Sequence, residues 1–148
     1  MNKKDTANKL PIYKLQTPEE ILKYYKDWTE NNKYNKDMVD WNYIAPQEAV
    51  TVLKKYALKK NLKILDAGCG SGLVGMQLKK FGYLYIDGVD FSQNMLDLVP
   101  KDIYRSLKRI DLNKKLFIKD SKYDIIICIG TFTYGHVKAH ALDELIRI

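Results

Sequence analysis

The sequence predicts an α/β fold of the doubly wound kind, a parallel sheet covered by helices on both faces, and three observations predict it. From residue 62 onward, short apolar runs alternate with stretches of helical periodicity, the pattern that builds consecutive βαβ units. Those runs are apolar almost throughout, as strands buried on both faces are. The first of them ends in Gly68, Gly70 and Gly72, which suits a sharp turn from a strand into a helix. With 148 residues and 46% hydrophobic content, the chain can bury the core of one compact domain.

Taken in order, residues 1–16 are polar and aperiodic and read as a flexible tail. Thr17-Pro18-Glu19-Glu20 then starts a helix, with Thr17 as N-cap, Pro18 at the first helical position and Glu20 closing a capping box. This helix runs through Ile21, Leu22, Tyr25 and Trp28. Residues 31–38 are turn-rich, placing Tyr34, Met38, Trp41 and Tyr43 on a loop or short helices. Ala45-Pro46 begins another helix, whose apolar face (Ala49, Val50, Val52, Leu53, Tyr56, Ala57) lasts to about residue 59. The α/β alternation follows: strand 62–67, helix 74–81, strand 84–90, short helix 94–99, a weaker strand within 103–110, a strongly apolar strand 123–129 and a final helix 139–148. The expected organisation is a tail (1–16), an N-terminal helical lid segment (17–60) and a ligand-binding domain (61–148), with 17–148 forming one globular unit.

Composition narrows the function classes. Neither a signal-peptide pattern nor the roughly 18 apolar residues of a membrane span is present, so the expected compartment is the cytoplasm. Cys69 and Cys128 lack metal-ligand spacing and read as reduced thiols, with no metal site. A formal charge of +7 raises the question of nucleic acid, since clustered cations release counterions from phosphates. Here the lysine pairs at 54–55, 59–60, 79–80 and 114–115 are scattered, and arginine occurs at 105, 109 and 147. That distribution argues against a nucleic-acid partner and for a solvated lysine surface.

In a doubly wound sheet the ligand binds beyond the carboxyl ends of the strands, beside the first strand-to-helix turn. Within Ile64-Leu-Asp-Ala-Gly-Cys-Gly-Ser-Gly-Leu73, the glycines let the backbone bend and approach a ligand closely. The helix after them offers free N–H groups to an anionic or carboxylate-bearing ligand. Asp90 follows Gly68 by 22 residues, at the end of the next strand, where a carboxylate can accept from ribose hydroxyls. A dinucleotide turn reads G-x-G-x-x-G and would need glycine at position 73. That residue is leucine, and the third glycine comes one place early.

These stretches resemble the class I S-adenosylmethionine-dependent methyltransferases: residues 65–72 are similar to their first motif, and Gly88-Val-Asp-Phe-Ser-Gln-Asn-Met-Leu96 is similar to the end of their second strand. The resemblance implies a Rossmann-like sheet in the order 3-2-1-4, with S-adenosylmethionine as cofactor and S-adenosylhomocysteine as product. It places Asp66, Gly68, Cys69, Gly70 and Gly72 around the methionine portion, Asp90 at the ribose, and Phe91 and Met95 near the adenine. Asp111 would accept from the adenine amino group beside Leu112. As alternatives, Met95 is ordinary core and Asp111 a turn cap. Within the family, Tyr34-Asn-Lys-Asp-Met38, residues 41–46 and Gly130-Thr-Phe-Thr-Tyr-Gly-His-Val137 resemble the small methyltransferases related to the Williams–Beuren-region methyltransferase-like protein, over about residues 20–148.

Methyl transfer needs alignment and exclusion of water more than acid–base help. If the acceptor must lose a proton, His136 is the candidate base, with Tyr134 beside it; both are otherwise structural, and His140 reads as a surface residue. Ile129, Gly130 and Thr131 would line the catalytic wall. Tyr34, Trp41 and Tyr43 would form an aromatic lid, or simply pack on the helices. The family usually has seven strands, and this sequence ends in a helix before the fifth. The apolar fourth strand is therefore expected as an open edge: either the sequence is a piece of a longer protein, or a short protein hides that edge in a homo-oligomer. The expected function is a methyltransferase acting on a small-molecule acceptor. The alternatives are a module that binds S-adenosylmethionine without transferase activity, and a lyase or hydrolase that degrades it.

Overall fold

The computed structural model describes residues 11–133 and 135–148. Most of the expected tail lies outside the described residues. Its last part departs from the expectation, because Pro11–Lys14 form a 3₁₀ turn and Ile12 is buried, an apolar side chain withdrawn from water. Helix α1 (Pro18–Thr29) starts as its sequence dictates: Thr17 Oγ1 accepts from the Glu20 amide at 3.2 Å, and Glu20 Oε2 accepts from the Thr17 amide at 3.1 Å. Asn31 and Asn32 then take left-handed backbone angles, a conformation asparagine tolerates better than most residues. The chain thereby turns into α2 (Lys33–Asp40). Helix α3 (Ala45–Tyr56) carries Pro46 in its first turn.

The sheet comprises β1 (Lys63–Ala67), β2 (Tyr85–Asp90), β3 (Ser106–Arg109) and β4 (Ile125–Ile127), interleaved with α4 (Leu73–Lys80), α5 (Gln93–Leu96) and α6 (Ala141–Arg147). Its order is β3-β2-β1-β4, and every pairing is parallel. Successive side chains of a strand point to opposite faces, and two cores result. On one face Ile64, Ile86 and Ile127 pack with Val50 of α3 and Val74 and Leu78 of α4. On the other, Leu65, Ala67 and Val89 pack with Leu112, Leu116, Leu145 and Ile148. The doubly wound expectation therefore holds, with helices on both sides. Tyr83, fully buried, ties α3 to the sheet by donating to the Ala57 carbonyl at 2.7 Å.

The border strands are shorter than their apolar runs. β4 spans three residues instead of 123–129, although Asp124 extends the contact by donating from its amide to the Lys63 carbonyl at 2.9 Å and accepting from the Lys63 amide at 2.7 Å. β3 faces solvent over most of its length, as a border strand does. β2 holds a buried charge that apolar patterning does not anticipate. Asp87 accepts both guanidinium bonds of Arg105, at 3.0 and 2.7 Å, and the Tyr123 hydroxyl at 3.1 Å, so it is paired where an isolated carboxylate would be costly. Among the described residues, no helix is long and apolar enough to cross a membrane.

Candidate active-site cleft

At the carboxyl end of β1 the chain reverses through Gly68, Gly70 and Gly72, all at positive φ (76°, 54° and 91°). The amides of Gly68 and Cys69 both donate to the Val89 carbonyl, at 2.8 and 2.9 Å, which seats the turn on the end of β2. Asp90 completes the seat: its Oδ2 accepts from the Gly70 amide and its Oδ1 from the Ser92 amide, each at 2.8 Å. Each oxygen keeps further acceptor capacity. Burial raises the carboxyl's pKa despite those two bonds. Gly68 is closely approached, since a Cβ there would lie 2.2 Å from Thr131 Oγ1. The Thr131 side chain thus packs directly on the backbone of the turn at Gly68.

Around this turn lies a cleft. Gly68, Cys69, Gly70, Asp90, Phe91, Met95, Asp111, Leu112, Ile129, Gly130, Thr131 and His136 line it, together with Tyr34 and Tyr43 from the N-terminal segment. Residues from four strand ends, from α2 and from the loop between α2 and α3 therefore converge on one hollow. Two expected members do not face it. Asp66 is fully buried behind the turn, where its Oδ2 accepts from the Tyr104 hydroxyl at 2.6 Å and its Oδ1 has no partner among the described residues. Burial pushes its carboxyl up to about 7. Gly72 packs backward, and a Cβ on it would meet Val99 at 3.2 Å and Tyr104 at 3.5 Å. Tyr134 lies outside the described residues. Trp41 leaves the lid as well, packing on Trp28 with ring centroids 5.7 Å apart and standing half exposed. Met95 joins the two readings of it, being buried and lining the cleft. So does Asp111, whose Oδ1 caps the Asn113 amide at 2.9 Å while the residue lines the cleft.

Beside the cleft, three contacts among the described residues tie the N-terminal segment to the Rossmann-like part. Ser71 Oγ donates to Asn35 Oδ1 at 2.6 Å, and the Tyr25 hydroxyl lies 3.0 Å from His136 Nε2. Gly130, at φ 71°, admits the Tyr43 hydroxyl to within 2.7 Å of where its Cβ would be. His136 is further held by Thr133 Oγ1 at 2.9 Å from Nδ1 and by Asn113, whose amide donates to its carbonyl at 2.9 Å. His140 stays exposed, near the Asn113 carbonyl. Sequence reading passed over Tyr25, Asn35 and Asn113 as site residues. Tyr25 lies four residues after Ile21 on the same apolar face, and helical periodicity does not distinguish a core face from a cleft face.

Residues 64–148 match the methyltransferase domain family. Human methyltransferase-like protein 27 is 32% identical over 129 residues, covering 84% of this chain and 51% of that protein. Among solved structures, an S-adenosyl-L-methionine-dependent methyltransferase from Methanococcus maripaludis superposes with a TM-score of 0.62 at 21% identity, over 87% of this chain and 57% of that one. A methyltransferase of Haloferax volcanii, solved in complex with the Trm112 methyltransferase activator, gives 0.69 at 22% identity, over 84% and 54%. The chain thus spans about half the length of these relatives.

Proposed function

The chain belongs to the methyltransferase domain family, and on that premise we propose that its cleft binds S-adenosylmethionine and directs the methyl group to a small-molecule acceptor. The observation that carries this reading is Asp90. Its carboxylate stands at the end of β2 with one amide on each oxygen and acceptor capacity left toward the cleft, the chemistry that a ribose diol requires. The glycine turn supports the fit, because Cβ atoms at 68 and 70 would crowd Thr131 and Met95 at 2.2 and 3.1 Å; bare backbone is what lets these two cleft-lining side chains close onto the turn.

When bound, the cofactor supplies an electrophilic methyl carbon on a good leaving group. This chain's residues do the rest. Gly68, Cys69 and Gly70 hold the amino-acid end, with Asp66 and Gly72 supporting the turn from behind. Phe91, Met95, Asp111 and Leu112 border the base. Ile129, Gly130 and Thr131 wall the reacting end, and Tyr34 and Tyr43 exclude water and face a cation with aromatic rings. His136 takes the acceptor's proton by relay: with Nδ1 donating to Thr133 Oγ1, the Tyr25 hydroxyl passes its proton to Nε2 as it receives the acceptor's, and Tyr134, two places earlier in the sequence, is the second candidate. Free thiols at Cys69 and Cys128 suit the cytoplasm.

Incubation of the protein with S-adenosylmethionine and a panel of small amines, phenols and thiols, read by mass spectrometry, tests the proposal. S-adenosylhomocysteine that rises with one acceptor class supports it. Methylthioadenosine or homoserine lactone formed without an acceptor would make the protein a degrading enzyme, and binding without any product would make it a binding module.

A further inference from the structure

Between α5 and β3, Tyr104 inserts its ring where three glycines leave space. A Cβ on Gly75 would lie 2.3 Å from its Cζ and hydroxyl oxygen, one on Gly88 would lie 3.1 Å from its Cδ1, and one on Gly72 would lie 3.5 Å from its Cε2. At the inner end of this slot the hydroxyl makes two bonds. It accepts from the Gly75 amide at 3.2 Å and donates to Asp66 Oδ2 at 2.6 Å. Gly75 is the third residue of α4, so its N–H is one of the first-turn amides that lack an acceptor within the helix. Such amides are usually capped by the N-cap side chain, but the N-cap here is Gly72 and makes no side-chain cap. Tyr104 supplies the cap from a different part of the chain. Asp66, for its part, is completely buried, and its other oxygen has no partner among the described residues.

One hydroxyl therefore pins both ends of the same turn: the end of β1 through Asp66, and the start of α4 through Gly75. Tyr104 itself does not line the cleft. We infer that Tyr104 is a positioning residue for the cofactor, holding residues 68–75 in the shape that receives the methionine end. The inference rests on the cofactor reading of the cleft. A ring that merely fills the slot would do equally well as phenylalanine, whereas this role requires the hydroxyl.

Tyr104→Phe keeps the ring and removes only that oxygen. In the free protein, amide hydrogen exchange at Gly68, Gly70 and Gly75 is expected to quicken about tenfold, the scale of losing one buried hydrogen bond, while the amides of β1 and β2 keep their rates. In titrations, S-adenosylmethionine binding weakens about tenfold, and methylthioadenosine, which lacks the amino-acid end, binds as to the wild type. Unchanged exchange and unchanged S-adenosylmethionine affinity would overturn the inference. So would an equal loss for both ligands, because a general loosening does not discriminate between them. A wild type that binds neither ligand would contradict the cofactor reading itself, and the exchange rates would then still decide whether Tyr104 holds the turn.

Discussion

Replacing Gly68 with alanine tests how the turn and residues 129–131 fit together, and the structure sets the size of the effect. At φ 76° an alanine enters the left-handed region at about 1–2 kcal/mol. Its Cβ would lie 2.2 Å from Thr131 Oγ1, 2.6 Å from Cγ2 and 2.9 Å from Cβ. Rotating the threonine about χ1 moves the first two atoms but not its Cβ, so the backbone of 129–131 must withdraw. Overpacking of this kind costs a further 1–3 kcal/mol or so, and for a chain of this length each kcal/mol shifts Tm by about 2–4 °C. Gly68→Ala should therefore lower Tm by roughly 5–15 °C in thermal unfolding followed by circular dichroism. Adding Thr131→Ala, which keeps the Cβ, should restore part of the loss, and Thr131→Gly, which removes every clashing atom, should restore more, leaving the φ cost. A Gly68→Ala protein that melts with the wild type, or a loss that neither second substitution relieves, would refute this account of the turn.

Three further outcomes follow from the same geometry. Asp90→Ala removes the acceptor of two backbone amides and two ribose contacts at about 1.5–3 kcal/mol each, so S-adenosylmethionine binding should weaken at least about a hundredfold in titration; wild-type affinity in that variant contradicts the role assigned to Asp90. The Asp66 carboxyl, raised by burial from 3.8 to about 7, retains in the folded state a proton that the unfolded chain has released. Stability of the free protein should consequently fall as pH rises between those two values, and Asp66→Asn should flatten the profile of Tm against pH; equal profiles would show that Asp66 does not titrate there. His136→Ala should lower turnover of the acceptor found by the product screen by about 10²–10⁴-fold while leaving S-adenosylmethionine affinity within a few-fold, and undiminished turnover would exclude His136 as base.

Much of the fold was legible because it is written in local chemistry. The capping box at Thr17 and Glu20, the apolar run into β1 and the glycines after it each depend on neighbours in sequence, and each stands where expected. The order β3-β2-β1-β4 followed from the resemblance to a known family. The border strands were less legible, since apolar content registers burial, and residues 123 and 129 can be half buried without pairing in a ladder. Between a loop and short helices for residues 31–43, the structure has the short helix α2, entered through Asn31 and Asn32, which serve as a left-handed turn between helices. In the site, Asp90 was legible through its spacing from Gly68. Asp66 and Gly72 were assigned to the ligand because they belong to the same motif, yet they face Tyr104, a partner 38 residues from Asp66. No periodicity reports a contact made at that distance by one side chain. The latch between Tyr25 and His136, separated by 111 residues, was hidden for the same reason.

The central claim is that this cleft is an S-adenosylmethionine site, and calorimetric titration of the wild-type protein with S-adenosylmethionine and S-adenosylhomocysteine tests it most directly. The account predicts saturable one-to-one binding of both ligands at about micromolar affinity. A folded protein that gives no heat and no thermal shift with either ligand would contradict it.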